Sequence, residues 1–453
     1  MATIKPFAAL RPRPELAEKI CELPYDVMSS DEARQMAAGN PLSFLHVSKP
    51  EIDLPPGMDA CAPEVYAKGR ENFQKLIRDG ALRPDPQPCF YLYRQIMDGR
   101  AQTGLVAAAD CGEYLRGVIK KNELTRPDKE DDRVRHIEAL NSQTGPASLA
   151  CRAPRVVDEF ITKRTSEKPE VDFTARDGVR HSSWTIRDAK EMRFIETEFA
   201  KVPALYIADG HHRSAAAARV YLKRNVAAGV PPALEGGILP PGLALEGSMA
   251  PEVRVPLPPG RMPGSTAGGT PAATVAGHSG QFLAVIFPHD RMQILPYNRA
   301  LRDLNGWSPE QLLEILGAVF AIDPNGAAVP SRNHEAGLYL SGRWRTLVFP
   351  KKLLATDDLV EQLDVTLLQK HVFEPVFGIK DPRTDRRIQF VGGIRGTAEL
   401  EKLVNSGEAA CAFSLFPVNI DDLMTIADAG GILPPKSTWF EPKLRDGMFC
   451  HMI

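Results

Sequence analysis

The chain lacks several features that would assign it to a function class directly. None of its apolar runs approaches the length of a membrane span, and Lys5 and several polar residues stand where a signal peptide has its apolar segment. Its seven cysteines are scattered and never show C-x-x-C spacing, which argues against a disulfide framework or a zinc knuckle. We therefore expect a cytoplasmic protein with reduced thiols and no membrane partner.

An excess of positive charge is also missing. The net charge is −2, whereas non-specific nucleic-acid binding requires clustered Lys and Arg, so the composition argues against DNA binding. The sequence has no H-E-x-x-H, no G-x-S-x-G and no complete G-x-G-x-x-G motif. Its 453 residues are nevertheless sufficient for two or three domains with a substantial core.

What the sequence does contain is an alternation of strand and helix patterns, which predicts a mixed α/β fold. Residues 42–47 are expected to form a strand, and residues 293–295 to pair with a strand at 282–287. Between residues 235 and 281 the composition shifts to Gly, Pro, Ala and Ser, which is typical of a flexible insertion. We expect a core at 1–234 with an insertion around 85–200, and a C-terminal α/β region at 282–453 that contributes to the same site.

The segment Ala204–Arg219 predicts a strand, a tight turn and a helix. An apolar run ends at Asp209-Gly210 and an alanine-rich segment follows, which places His211, His212 and Arg213 at the helix start. Free backbone N–H groups, the positive end of the helix dipole and a guanidinium converge in such an arrangement, which suits a phosphate group. The alternative is that neighbouring side chains satisfy the two histidines without any ligand.

The charged segment Lys120–Arg133 is a second candidate. On a helix that begins near Pro127, side chains of like charge stack four residues apart, which costs stability on a solvent-facing helix. A Mg²⁺–phosphate ligand would instead be stabilised by a carboxylate stripe beside a cationic stripe. The predicted Mg²⁺ ligands are Asp128, Asp132 and Asp209. The predicted phosphate contacts of this segment are Arg126, Lys129 and Arg133. A solvated helix face is the alternative.

A third candidate lies at Lys436, Ser437 and Thr438. The preceding residues resemble the phosphate-binding loop G-x-x-x-x-G-K-[ST], but Pro435 stands at the second glycine and lacks the N–H that would contact phosphate. The cation and the two hydroxyls still qualify as phosphate ligands. The alternative is a structural closing strand in which Trp439 and Phe440 pack.

The Asp-Gly-His-His-Arg pentapeptide is similar to the helix-start motif of the ParB/sulfiredoxin-like superfamily, and closest to the version in free serine kinases. Over nearly its whole length the chain also resembles the bacterial domain of unknown function 1015 family. The matching pieces are Arg11-Pro12, Pro24–Val27, Lys120–Arg133, Asp209–Arg213, Leu295-Pro296 with Arg299, and Pro434–Thr438 through Leu444. The resemblance implies a ParB/sulfiredoxin-like core that binds nucleotide phosphates through residues 209–213.

The resemblance also implies roles for single residues. Asp26, after the first strand and before the first helix, resembles the acidic residue that serves as catalytic base in free serine kinases, although an Asp at this place is also common as a turn or cap residue. The position of Asn122 is usually histidine in the family, which leaves Glu123 as the titratable neighbour. His212 is the third candidate catalytic residue.

Together these features predict a phosphotransferase that acts on a small hydroxylated metabolite, with serine as the best single substrate, and that uses ATP or ADP with Mg²⁺. One alternative is a hydrolase that removes the same phosphate. Another is a non-enzymatic nucleotide-binding switch of the ParB kind. A purely structural protein would leave the clustered cations of the helix start unexplained.

Overall fold

The computed structural model describes residues 1–227 and 280–453. The helices within these ranges are α1 Ala17–Ile20, α2 Ser30–Ala37, α3 Leu45–Ser48, α4 Pro63–Arg78, α5 Cys111–Leu115, α6 Pro127–Leu140, α7 Arg155–Arg164, α8 Ala189–Phe199, α9 His211–Ala227, α10 Pro309–Gly317, α11 Leu359–Gln362, α12 Asp364–Leu368, α13 Gly396–Asn405 and α14 Ile420–Asp428. Short 3-10 turns, including Tyr25–Val27, and a π-helical turn at Gln369–Phe373 connect some of them.

The strands are β1 Ile4–Lys5, β2 Leu10–Pro12, β3 Leu82–Pro84, β4 Phe90–Met97, β5 Arg100–Asp110, β6 Ile119–Lys120, β7 Ser142–Gln143, β8 Ala147–Cys151, β9 Val171–Thr174, β10 Arg180–Ile186, β11 Leu205–Asp209, β12 Gln281–Pro288, β13 Gln293–Leu295, β14 Tyr297–Leu301, β15 Ala321–Asp323, β16 Glu335–Leu340, β17 Arg343–Val348, β18 Ile388–Gly392, β19 Cys411–Leu415, β20 Trp439–Glu441 and β21 His451–Met452. The fold is mixed α/β, as predicted.

A nine-stranded sheet forms the centre of the molecule. Its order is β6-β11-β8-β12-β5-β4-β10-β9, and β1 pairs with β5. The pairs β11–β6 and β12–β8 are parallel and the other pairs are antiparallel. Buried clusters pack on both faces of this sheet, one around Phe90 and Trp184 and the other around Tyr91 and Phe287. The sheet thereby fixes the end of β11, where α9 begins.

A six-stranded antiparallel sheet, β15-β17-β16-β19-β14-β18, lies in the C-terminal third. Residues of this sheet, such as Phe413 and Leu338, share one hydrophobic cluster with Tyr91 and Val285 of the nine-stranded sheet. The C-terminal segment then returns to the N-terminal half, because β21 pairs with β7. Residues 434–446 are thus carried to the end of β11.

Two expectations from the sequence are wrong in detail. Residues 42–47 contain the start of helix α3 rather than a strand, because the Asn40 and Ser43 side chains accept hydrogen bonds from the nearby backbone amides of Leu42 and Leu45 and turn the chain locally. Strand β13 forms, but it pairs with β20, since β5 and β8 occupy both edges of β12.

The division at residues 235 and 281 remains a prediction, because the Gly/Pro/Ala-rich insertion lies almost wholly outside the described residues. Strand β12, which begins at Gln281, lies in the nine-stranded sheet between β8 and β5. Among the helices that the structure describes, none is long and apolar enough to span a membrane.

Candidate functional site

Strand β11 and helix α9 meet at a turn that only glycine fits easily. Gly210 has a φ of +91°, and a Cβ on it would lie 3.1 Å from the Ala147 Cα. Both conditions disfavour any side chain there. The helix begins at His211, as the sequence predicts, and its first turns are lined by the small buried residues Ser214 to Ala218, which let it pack closely on the sheet.

The side chains at this helix start are buried or half-buried and have buried polar atoms without a partner among the described residues. Within the residues that the structure describes, His211 Nε2, His212 Nδ1 and Arg213 Nε have no hydrogen-bond partner. Burial lowers the pKa of His211 to about 4 and also lowers the pKa of His212. Both histidines are therefore neutral near pH 7, and Arg213 supplies the charge of the helix start. Buried polar atoms without partners are costly unless a ligand or water satisfies them.

Arg213 and Lys443 both face Asp209. Lys443 Nζ lies 3.4 Å and Arg213 Nη2 lies 3.5 Å from Asp209 Oδ2. Burial would raise the pKa of Asp209, but the charges of Lys443 and Arg213 outweigh it and lower the pKa to about 2. One carboxylate thus faces two cations, which leaves positive charge for an anionic ligand. The Lys443 segment is fixed by Gln95, whose amide donates to the Lys443 carbonyl at 2.9 Å.

A cavity of about 590 Å³, the main cavity, opens over this helix start. Eight Lys and Arg side chains but only five Asp and Glu side chains line it. The predicted site residues that it brings together are Asp26, Glu123, Arg126, Lys129, Asp132, Arg133, Asp209, Gly210, His211, His212, Arg213, Lys436 and Thr438. Segments more than 400 residues apart in sequence, such as those of Asp26 and Lys436, therefore contribute to one cationic cavity.

Two carboxylates face the cavity without a close cation. Asp26 lies in the Tyr25–Val27 turn, is exposed, and forms no hydrogen bond or ion pair with any residue that the structure describes. Its charge acts to raise the pKa of His212, Arg213 and Lys443, although burial outweighs it at His212, whose pKa is lowered. Glu123 Oε2 lies 3.8 Å from His211 Nδ1, and burial raises its pKa. Asn122 is buried and donates to the Ile207 carbonyl at 2.7 Å, so it holds the Glu123 segment against β11.

The charged segment does form a helix from Pro127, but its carboxylates have protein partners. Asp128 pairs with Arg126 at 2.8 Å and does not line the main cavity. Asp132 accepts hydrogen bonds from Tyr66 Oη at 2.9 Å and from Arg133 at 2.7 Å. Lys129 lines the cavity and has no ion pair within the described ranges. The N-cap residue is Arg126, without a side-chain cap.

The predicted Mg²⁺ ligand set needs correction. Among the residues that the structure describes, no group of three or more Asp, Glu, His or Cys side chains is placed to hold a metal ion. Asp128, Asp132 and Asp209 are each bound by a different arginine or lysine, which explains why they do not converge. The three carboxylates therefore do not fit a common Mg²⁺ site, and we derive no step through the metal.

The structure places two of the three residues of the third candidate segment, Lys436, Ser437 and Thr438, at the cavity and the third elsewhere. Lys436 and Thr438 line the main cavity, whereas Ser437 is buried and donates its hydroxyl to the Pro434 carbonyl at 2.6 Å. Ser437 thus stabilises the turn and is not placed as a phosphate ligand. Lys436 has a φ of +59°, and its ammonium lies 3.3 Å from Tyr297 Oη.

Sequence reasoning assigned no role to two buried residues behind the site. The Arg299 guanidinium donates to the carbonyl oxygens of Tyr297 and Lys436, the latter at 3.0 Å, and burial lowers its pKa to about 9. Asp446 is 3% exposed and lies behind Arg213. The family-like pieces at residues 295–299 and 434–444 indicated their neighbourhood, but no local pattern indicated that they are buried near β11.

The family model described as "Protein of unknown function (DUF1015)" matches residues 4–235 and 266–366. The chain belongs to this family. No curated protein matches its sequence.

Three solved structures are similar to this chain at low sequence identity. A free serine kinase in complex with AMP is 12% identical, with 71% of this chain and 83% of that chain covered and a TM-score of 0.31. A conserved hypothetical protein from Pyrococcus furiosus is 12% identical, with 74% of this chain and 92% of that chain covered and a TM-score of 0.33. C-terminally truncated SbnI from Staphylococcus aureus is 8% identical, with 75% of this chain and 85% of that chain covered and a TM-score of 0.35.

Proposed function

We propose that this protein is a phosphotransferase that moves a phosphoryl group between a nucleotide and a small hydroxylated metabolite. The observation that carries the proposal is the start of α9, where three side chains keep buried polar atoms without partners among the described residues at the wall of a cationic cavity. A helix N-terminus with a guanidinium beside it is suited to bind a phosphate. The volume of the main cavity, about 590 Å³, lies in the range of small-molecule sites.

Positive charge on three elements supports phosphoryl transfer rather than binding of a neutral ligand. Arg213 on α9, Lys129 on α6 and Lys436 before β20 all line the main cavity. Phosphoryl transfer depends mainly on positioning and on neutralising the charge of the equatorial oxygens, which such cations supply. The backbone N–H groups at residues 211–213 would cradle the same phosphate, while the neutral His211 and His212 would donate or accept single hydrogen bonds.

The acceptor hydroxyl needs a base. In the reaction that we propose, the oxygen of the acceptor forms a bond to the transferred phosphorus, the bond to the bridging oxygen of the nucleotide breaks, and the hydroxyl proton passes to a carboxylate. Asp26 is our first choice because its carboxylate faces the cavity without a partner among the described residues; Glu123 is the second. Serine is the acceptor that the resemblance of the Asp-Gly-His-His-Arg segment implies.

Mg²⁺ commonly accompanies nucleotides in such reactions by bridging their phosphate oxygens. In this protein the predicted carboxylates are already paired with cations, so we assign no residue as a metal ligand.

The test is a reaction of the purified protein with ATP or ADP, Mg²⁺ and serine, analysed for phosphoserine by mass spectrometry, together with the reverse reaction from phosphoserine. We expect turnover in at least one direction, and loss of turnover in Arg213→Ala but not in Arg219→Ala, which alters the same helix outside the cavity. Absence of turnover in both directions across a panel of nucleotides would overturn serine as the substrate. Release of inorganic phosphate without an acceptor would instead identify a hydrolase.

A further inference from the structure

A second, smaller cavity lies directly behind the phosphate site. This inner cavity has a volume of about 30 Å³ and shares Tyr25, Arg133, His136 and Arg213 with the main cavity. Its far wall contains Asp446. A polar cavity of this size can hold one or two water molecules.

Asp446 differs from Asp26 and Glu123 because it is buried as well as lacking an ion-pair partner among the described residues. It is 3% exposed, and within the described residues its Oδ1 atom has no hydrogen-bond partner. Its backbone is fixed by reciprocal hydrogen bonds with Glu22, at 2.9 and 3.2 Å. The backbone therefore holds the carboxyl in place although the side chain lacks a direct partner for Oδ1.

The neighbourhood of Asp446 leads to Arg213 on one side and to the Asp26 turn on the other. A Cβ on Gly145 would lie 2.5 Å from Asp446 Oδ1 and 3.6 Å from the Arg213 Cδ, so the missing side chain of Gly145 leaves the space between them open. The charges that act on Asp446 are those of Arg213, Asp26 and Arg133, and the Tyr25 backbone amide also interacts with it. His136 in the same cavity is neutral near pH 7, because burial lowers its pKa to about 4.

We propose that Asp446 is a positioning residue of the phosphate site, which faces Arg213 and the Tyr25–Asp26 turn through the inner cavity and whose charge sets how strongly Arg213 binds a phosphate. This inference rests on the proposed function. When the carboxyl is protonated, it carries no charge that competes with an anion for Arg213. When it is ionised, it competes with the phosphate for the same guanidinium.

Titration supports this assignment. Burial raises the pKa of Asp446 to about 7, although Arg213 and Arg133 act to lower it. Since the folded pKa lies above the ordinary aspartate value, the stability that this group contributes is present at low pH and is lost as the pH rises toward 7. Burial raises the pKa of Cys450, a thiol on which the charge of Asp446 also acts, so this thiol does not ionise in the same pH range.

The first measurement needs no ligand. The melting temperatures of the wild type and of Asp446→Asn are compared from about pH 4, near the ordinary aspartate pKa, to pH 8.5. We expect similar values near pH 4 and an advantage for Asp446→Asn that grows as the pH rises to about 7 and then stays constant at several degrees. Equal pH profiles would overturn the inference, because the carboxyl would then not be buried beside Arg213 in ionisable form. If Asp446→Asn does not fold, Gly145→Ala, whose Cβ intrudes on Asp446 Oδ1, replaces it in the binding measurement below.

The second measurement is the ADP affinity by calorimetry at the same pH values. We expect the affinity of the wild type, relative to that of Asp446→Asn, to fall by about fivefold between pH 6.5 and 8.5, since one ionisation near neutrality changes the charge facing Arg213. Gly145→Ala should weaken ADP binding at every pH. The control is Asp364→Asn, another buried carboxyl with a raised pKa, which lies outside the main cavity and should leave ADP binding unchanged.

These measurements distinguish a failure of the inference about Asp446 from a failure of the proposed phosphate site. If Arg213→Ala abolishes ADP binding while the wild type and Asp446→Asn keep the same pH dependence, this inference is wrong and the proposed function stands. If the wild type binds no ADP, or Arg213→Ala binds it as well as the wild type, the proposed phosphate site is wrong and this inference is wrong with it.

Discussion

At the scale of single residues, the two unpaired carboxylates of the main cavity can be distinguished. Asp26→Asn should lower turnover at least about hundredfold, because general base catalysis contributes roughly that much. The affinity for ADP should change little, since Asp26 is proposed to contact the acceptor hydroxyl and not the nucleotide. Steady-state kinetics and calorimetry measure the two effects. Asp31→Asn, an exposed carboxylate paired with Arg34, is the matched control and should leave both unchanged.

Glu123 gives a different expectation. Burial raises its pKa, so if Glu123 were the base, the rate would rise with pH through a value above the ordinary glutamate pKa and this limb would vanish in Glu123→Gln. With Asp26 as the base, we expect the rate of Glu123→Gln to have the same pH dependence as that of the wild type. Loss of a pH-dependent limb in Glu123→Gln would transfer the role of base to Glu123.

Part of the site was predictable residue by residue. The change from an apolar run to Gly210 and an alanine-rich segment predicted the helix start at His211, and the helix begins there. The low pKa of the histidines was not predictable, because it depends on burial by distant segments. Asp446 was missed for the same reason, since its neighbours Gly145 and Arg213 lie far from it in sequence.

At the scale of elements, the turn before β20 holds Lys436 in the left-handed region, which glycine adopts more easily. Lys436→Gly should therefore keep or raise the free energy of unfolding, by up to about 1 kcal/mol, while it weakens ADP binding. Urea unfolding and calorimetry measure the two effects. Lys352→Ala, at an exposed lysine outside the cavity, is the control. A variant that loses stability but keeps full affinity would show that Lys436 is only structural.

Helix α6 gives a second prediction at this scale. Asp132 accepts hydrogen bonds from Tyr66 and Arg133, and its side chain is 13% exposed. Asp132→Asn should lower the free energy of unfolding by about 1–3 kcal/mol, because it leaves Arg133 without its carboxylate. Asp128→Asn, at the exposed carboxylate four residues earlier, should change it by less than about 0.5 kcal/mol. Thermal unfolding compares them, and equal effects would contradict the assignment of partners.

Elements with strong local signals were predictable, and their partners were not. Helix α4 spans Pro63–Arg78 and has a proline at its first position, and Asp98-Gly99 forms the turn between β4 and β5. Strand β13 was expected, but its pairing with β20 depends on a segment more than 140 residues later. Pairing is decided by which sheet edges remain free, and a single sequence does not contain that information locally.

At the scale of the whole molecule, buried histidines predict sensitivity to acid. Burial lowers the pKa of His136 and of His211 to about 4 each. Because these folded pKa values lie below the ordinary one, the stability is present above pH 6.5 and is lost as the pH falls toward 4, by up to about 3 kcal/mol per histidine. Urea unfolding at several pH values measures this loss. In His136→Gln, the slope of the free energy of unfolding against pH should be smaller by the equivalent of about one bound proton. An unchanged slope would contradict the prediction.

The assembly of the site is itself a property of the whole chain. The mixed α/β class followed from alternating patterns, but the main cavity combines residues from the first 30 positions with others after position 430. The return of the C-terminal segment to β7 brings Lys436 and Lys443 to the end of β11. No spacing rule predicts such a closure, which explains why the three predicted Mg²⁺ ligands do not meet while the predicted phosphate contacts largely do.

The central claim is that the start of α9 binds the phosphate of a nucleotide. Calorimetric titration of ADP into the wild type, Arg213→Ala and Arg219→Ala tests it most directly, because both arginines lie on α9 and only Arg213 lines the main cavity. We predict that the wild type and Arg219→Ala bind ADP with the same affinity, within about twofold, and that Arg213→Ala loses at least about tenfold, on the order of 1.4 kcal/mol. Equal affinity in all three proteins would contradict the account.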